Sequence, residues 1–211
     1  MRMNAIVSLI FFVLFTITHL QGVPLQVIII RHAEKPDAGN ELNLTGFERS
    51  SALVPFFQGS PPSANTSVPG NPFVSQFGPP TVIISQKPKK STSSIRPEQT
   101  VMPLAHGLGL SIKQPFTRDE TAALANLLLT SPKFNGKVVL VSWAHQAITA
   151  LCADLGASNP PATPEDRFDL IYRITYQNGS PDNPEFCIGL QELMFGDLST
   201  YPPGYPPPCP Q

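Results

Sequence analysis

The sequence is short of net charge, of cysteine and of long apolar runs, and each shortage excludes something. Fourteen basic and 15 acidic side chains leave a formal charge of −1 over 211 residues. A chain so balanced exerts no strong pull on a polyanion, so no nucleic-acid partner is expected. Only three cysteines are present, Cys152, Cys187 and Cys209. None has the Cys/His spacing of a zinc site, so no metal is expected. The odd count leaves at least one thiol unpaired within a monomer. Cys152 lies in an apolar helical pattern, as a buried small hydrophobe does. Cys187 and Cys209 are the candidate bridge in an oxidising compartment. There is no internal repeat, and the longest apolar run is too short for a comfortable transmembrane helix.

That run, residues 5–18, follows Arg2 and precedes His19-Leu20-Gln21-Gly22. The order of positive start, apolar stretch and small-residue exit is that of a secretory signal peptide, with cleavage expected near Gly22. An uncleaved membrane anchor is the competing reading. Cleavage would leave a secreted or extracytoplasmic chain with no stable membrane insertion. Residues 23–198 then have the length of one domain with a substantial core. Many of the 25 prolines sit in loops and in a Pro-rich tail, residues 199–211, with a polyproline-like stretch from Tyr201. The sequence leaves the oligomeric state open.

Along the chain, residues 25–31 read as a strand and 34–41 as a polar loop. Thr45-Gly46-Phe47-Glu48 spells a capping box that opens a helix to about Phe57, with Pro55 expected to end or kink it early. Arg49 rides this helix, facing either a site or solvent. Residues 59–80 form a long insertion, with a glycosylation sequon at Asn65; Asn43 begins another. A strand follows over 81–85, then a loop with Lys87, Lys89 and Lys90 that could draw in an anion. Residues 97–110 read as a helix containing Pro103. Thr117-Arg118-Asp119-Glu120 is a second capping box, opening a helix to about Thr130. Residues 137–142 are a strand, 145–155 a helix, and 168–176 and 187–195 two last strands around an Asn178-Gly179 turn. Strands alternating with helices predict an α/β fold, a mainly parallel sheet covered on both faces.

The stretch Val27-Ile28-Ile29-Ile30-Arg31-His32 carries the chemistry. Branched aliphatics in a row predict a central strand buried on both faces. Arg31 and His32 therefore emerge at its carboxyl end, where open α/β sheets bind ligands. Arginine offers a fixed fork of donors to an oxyanion, and a histidine can be a nucleophile or proton carrier near neutral pH. His145, which follows another strand, is expected on the same sheet edge.

Arg31-His32-Ala33-Glu34-Lys35-Pro36 resembles the opening signature of the histidine phosphatase superfamily, the phosphoglycerate-mutase-like proteins, with Ala33 where the usual form has glycine. Three further stretches fit the pattern in order: residues 42–49, 94–100 and 138–145. The resemblance covers roughly residues 25–195 and implies a three-layer α/β/α fold. It implies that residues 23–198 form a catalytic domain hydrolysing a small phosphorylated substrate. His32 would be the nucleophile, with Arg31, Arg96 and His145 holding the phosphoryl group and no cofactor required. The proton donor is open between Glu120, Asp119 and Glu34, with Glu120 preferred. The aromatic Trp143, where the family commonly has small residues, would pack in the core or wall the pocket. A non-catalytic phospho-ligand binding module and a phosphoglycerate-mutase-type phosphotransferase are the alternatives on the same fold.

Overall fold

The structure is a computed structural model that describes residues 22–58, 74, 76–194, 196–206 and 208–209. The expected signal segment up to residue 21 and the Asn65 sequon lie outside the described residues. Six strands form one sheet: β1 Gln26–Arg31, β2 Val82–Ser85, β3 Ile112–Lys113, β4 Val138–Trp143, β5 Leu170–Thr175 and β6 Glu185–Leu190. The spatial order is β3-β2-β4-β1-β5-β6. The pairs β3–β2, β2–β4 and β4–β1 are parallel, whereas β5 and β6 run antiparallel at the far edge.

Among the described residues, four helices cover the sheet: α1 Leu44–Gln58, α2 Arg96–Leu108, α3 Thr121–Thr130 and α4 His145–Asp154. Side chains alternate across a strand, so the aliphatic run of β1 feeds two cores. Val27 and Ile29 join Leu124, Leu128, Ile148 and Leu151 of α3 and α4. Ile28 and Ile30 join Leu53, Phe57, Val101 and Leu104 of α1 and α2. All four β1 side chains are fully buried, each contributing about 1.5–3 kcal/mol of transfer free energy. The three-layer α/β/α arrangement follows directly, as expected.

Several local expectations need correction. Helix α1 begins at Leu44, and its cap is Asn43, whose Oδ1 accepts from the Gly46 amide at 2.8 Å. Thr45 is already helical. Gly46 lies so close to the loop after β1 that an added Cβ would collide with the Glu34 carbonyl. Pro55 and Pro103 sit inside α1 and α2 without ending them; burial of the flanking Leu53, Phe57 and Leu104 offsets the lost hydrogen bonds. Helix α2 ends at Leu108, where Gly109 takes a left-handed φ of 66° and donates to the His106 carbonyl. Thr117–Glu120 is a turn ahead of α3, not its first turn: the Glu120 amide donates to the Thr117 carbonyl at 3.2 Å. The two-residue β3 was not anticipated. The last strand starts earlier and ends sooner than expected, at Leu190.

The C-terminal stretch folds back instead of trailing. Pro208 bridges to Ile188 of β6, and Cys209 is disulfide-bonded to Cys187. Tyr205 donates to the Ala162 carbonyl at 2.6 Å. Cys152 is buried and free, as expected.

Candidate active site

The parallel pairing of β1 with β4 sets Arg31 beside Trp143. Both strands therefore release their next residues at the same place, and the His32 amide donates to the Trp143 carbonyl at 3.0 Å. His145 opens α4 one residue after Ala144. Arg96 opens α2. Thr100 ties that helix to the β1 exit, since its hydroxyl accepts from the Ala33 amide and donates to the Arg96 carbonyl, both at 2.8 Å. His32, Arg96 and His145 then line one cavity of about 370 Å³. Lys35, Gln86, Lys89, Ser93, Ser94 and Arg118 complete its polar wall.

Arg31 stands behind this cavity and is almost wholly buried. Its Nη1 donates to the carbonyls of Pro164, Glu165 and Arg167 at 3.1, 2.6 and 3.1 Å. Its guanidinium carbon lies 3.9 Å above the Phe168 ring centre. Its buried Nε has no partner. Burial lowers its pKa to about 10, so it stays charged at neutral pH. Arg96 is oriented by the carbonyls of Glu41, at 2.9 Å, and Gly39. Among the described residues, neither arginine pairs with a carboxylate.

His32 is pushed down to about 4, first by burial, then by the charges of Arg31 and Arg96; the Ala33 carbonyl opposes this. Its Nδ1 lies 2.8 Å from that carbonyl, which can only accept. Nδ1 therefore carries the proton, and Nε2 keeps its lone pair. His145 is also pushed down, by burial and then by Arg31. Its Nδ1 is buried without a partner, and its Nε2 lies 3.9 Å from the exposed Glu165 carboxylate.

The three carboxylates considered as proton donors are engaged elsewhere. Glu120 is outside the cavity wall; its Oε2 accepts from the Thr117 amide and hydroxyl at 2.8 and 2.7 Å, which keeps it ionised. Asp119 bridges Arg118 and Lys89, which hold its carboxyl well below the usual range. Glu34 is bound through both oxygens to Arg49. Among the described residues, no carboxylate lines the cavity. Arg49 does not face solvent: it is buried between Glu34, Gln191 and Asp197. Trp143 packs in the core and fixes the Arg118 carbonyl through Nε1 at 3.1 Å.

Sequence reasoning missed Gln86 and Arg118. Gln86 directly follows β2, and its Oε1 accepts from the Ala144 amide at 3.2 Å; its place after a parallel strand was the available signal. Arg118 had none, since it reaches the cavity from a turn. Among the described residues, no group of three or more His, Cys, Asp or Glu could hold a metal ion.

No protein-family model matches the chain, and no curated protein matches it by sequence. Solved structures do. The protein histidine phosphatase SixA complexed with tungstate superposes with a TM-score of 0.50 at 18% identity, over 76% of this chain and 93% of that one. The mycobacterial glucosyl-3-phosphoglycerate phosphatase with inorganic phosphate gives 0.44 at 16% identity, over 77% and 94%. A phosphoglycerate mutase from Bacillus anthracis gives 0.45 at 14%, over 76% and 91%. The chain has the fold of the histidine phosphatases and phosphoglycerate-mutase-like proteins.

Proposed function

We propose that this protein is a secreted phosphatase that hydrolyses small phosphate monoesters through a phosphohistidine on His32. The observation that carries the reading is a buried His32 whose Nδ1 faces the Ala33 carbonyl, beside two arginines whose hydrogen bonds go to backbone carbonyls. Such arginines are oriented but uncompensated, and the missing counter-charge is that of an anion.

In the first step His32 Nε2 attacks phosphorus, a P–N bond forms, and the ester P–O bond breaks with its electron pair leaving on oxygen. Arg96, with Arg31 behind it, stabilises the charge on the phosphoryl oxygens, and His145 supplies a further donor. Water then attacks phosphorus, the P–N bond breaks, and orthophosphate leaves with neutral His32 regenerated. Among the described residues no carboxylate lines the cavity, so in this reading the leaving oxygen takes its proton from solvent. Substrates with good leaving groups are therefore favoured.

The same lack of a carboxylate favours the second reading, a non-catalytic phospho-ligand binding module. Steady-state hydrolysis of p-nitrophenyl phosphate separates them, because this leaving group hardly needs an acid. Turnover that His32→Ala abolishes supports the phosphatase; phosphate binding without turnover supports the module. The Arg2-led apolar segment and the Cys187–Cys209 bond support export. Mass spectrometry of the mature chain should find an N-terminus near Val23; an intact Met1 would contradict cleavage.

A further inference from the structure

The two edges of the sheet are closed in different ways. One edge is β3, only two residues long and carrying the exposed Lys113. A short, charged edge offers little to pair with. The other edge is β6, six residues long and, among the described strands, paired with β5 alone. Its sequence, Glu-Phe-Cys-Ile-Gly-Leu, has no proline and a single charge at one end. Left bare, such a strand is a template for another.

The C-terminal stretch covers it. Cys209 donates its amide to the Ile188 carbonyl at 3.2 Å, and Pro208 bridges to Ile188 in the parallel sense. Residues of an antiparallel pair alternate between facing the neighbouring strand and facing away. Ile188 therefore turns its amide and carbonyl away from β5, and so do Phe186 and Leu190. The cover lies over the middle of this open row, where Cys187, Ile188 and Gly189 are buried while Phe186 and Leu190 are half-buried. Around the bridge the sequence is Pro206-Pro207-Pro208-Cys209-Pro210. Only Cys209 among these has an amide proton, and Ile188 takes it. The stretch thus closes the sheet without presenting a new row of donors.

We infer that the β6 edge is a latent pairing surface for a second copy of this chain, shut by the C-terminal stretch and opened by reduction of Cys187–Cys209. Tyr205 is anchored separately, on the Ala162 carbonyl. Beyond it, among the described residues, one backbone hydrogen bond and the disulfide tie the chain to β6. One such bond favours the covered state only several-fold, so the covalent bond is the lock. On reduction a dithiol is oxidised to its own disulfide, the S–S bond breaks, and both sulfurs become thiols. A two-fold axis at Ile188 makes β6 self-complementary in the antiparallel sense. It sets Phe186 of one copy against Leu190 of the other and Glu185 against the neutral Gln191, so no like charges meet. Phe186, Ile188 and Leu190 pack on one core, which the added strand extends. The inference is independent of the proposed phosphatase activity.

Sedimentation velocity of the mature full chain tests it, with oxidised wild type against Cys187→Ser/Cys209→Ser. Wild type should run as a monomer. The serine variant should dimerise with a Kd at least roughly tenfold lower, because pairing closes several backbone hydrogen bonds. Excess dithiothreitol should bring wild type to the same state. Adding Leu190→Pro, which removes an outward amide and no bond to β5, should return the variant to monomer. Hydrogen exchange of the dimer should show new protection at the amides of Phe186, Ile188 and Leu190. Monomers in both the variant and reduced wild type, equal dimerisation of oxidised wild type, or new protection confined to other segments would each overturn the inference. If the serine variant fails to fold, reduced wild type decides; if Leu190→Pro fails to fold, the exchange pattern decides.

Discussion

Where β1 and β4 end, the arginines face neutral oxygens; between α1, β5 and the turn after β6, they face carboxylates. The hydrogen bonds of Arg31 and Arg96 go to backbone carbonyls. Arg49 meets Glu34 and Asp197, both at 2.6 Å, and Arg167 meets Asp169 at 2.7 Å. A guanidinium matched by a carboxylate is electrically closed, so its removal strands a buried anion and costs folding. One held by carbonyls is aimed without being neutralised, so its removal should cost chemistry. The same residue type is thus held in two ways, distinguished by its acceptors.

The largest expected effect is on the closed side. Arg49→Leu leaves two carboxylates without their cation and should destabilise the fold by about 3–5 kcal/mol in urea denaturation. A change under about 1 kcal/mol would show that the cluster is not a buried pair in energetic terms. On the open side, Arg96→Ala should lower kcat/KM for p-nitrophenyl phosphate by about 10²–10³, about 2.7–4 kcal/mol, with little change in the urea midpoint. The reverse pattern, lost stability with intact turnover, would erase the distinction. Replacing Cys187 and Cys209 by serine should cost about 3 kcal/mol in the chain-entropy view and leave kcat/KM of the folded fraction unchanged.

The subtlest effect is the pH response of His32. Its pKa falls from 6.5 unfolded to about 4 folded, so between these values the unfolded chain binds more protons. Its contribution to stability is complete above pH 6.5 and declines as pH falls toward about 4. An NMR titration should place the His32 midpoint near 4; a midpoint at 6.5 would mean the imidazole is neither buried nor beside the guanidiniums.

Much of this arrangement was legible in the sequence. Four aliphatics of β1 with no polar alternation require cover on both faces, and both cores supply it. Two histidines that each follow a parallel strand must meet at one edge once those strands pair. What escaped depended on distant partners. An arginine on a helix reads as solvated unless Asp197, 148 positions away, is known to meet it. Asp119 and Glu120 look alike in a capping-box pattern, but Lys89, 30 positions earlier, claims the first and the Thr117 turn claims the second. The cap expected at Thr45 falls instead at Asn43, which accepts from Gly46, the residue packed against the Glu34 carbonyl. A two-residue β3 has no periodicity to read and exists only through its pairing with β2. Proline-rich composition suggests an extended tail, yet one disulfide folds it back along β6.

The proposed chemistry turns on one atom, His32 Nε2. Quenching the wild-type protein without acid during turnover of a phosphorus-labelled aryl phosphate, then mapping the label by mass spectrometry, tests it most directly. The label should sit on His32, be labile in acid and stable in base as a P–N bond is, and vanish together with turnover in His32→Ala. Sustained turnover with no label on His32, or wild-type turnover in His32→Ala, would contradict it.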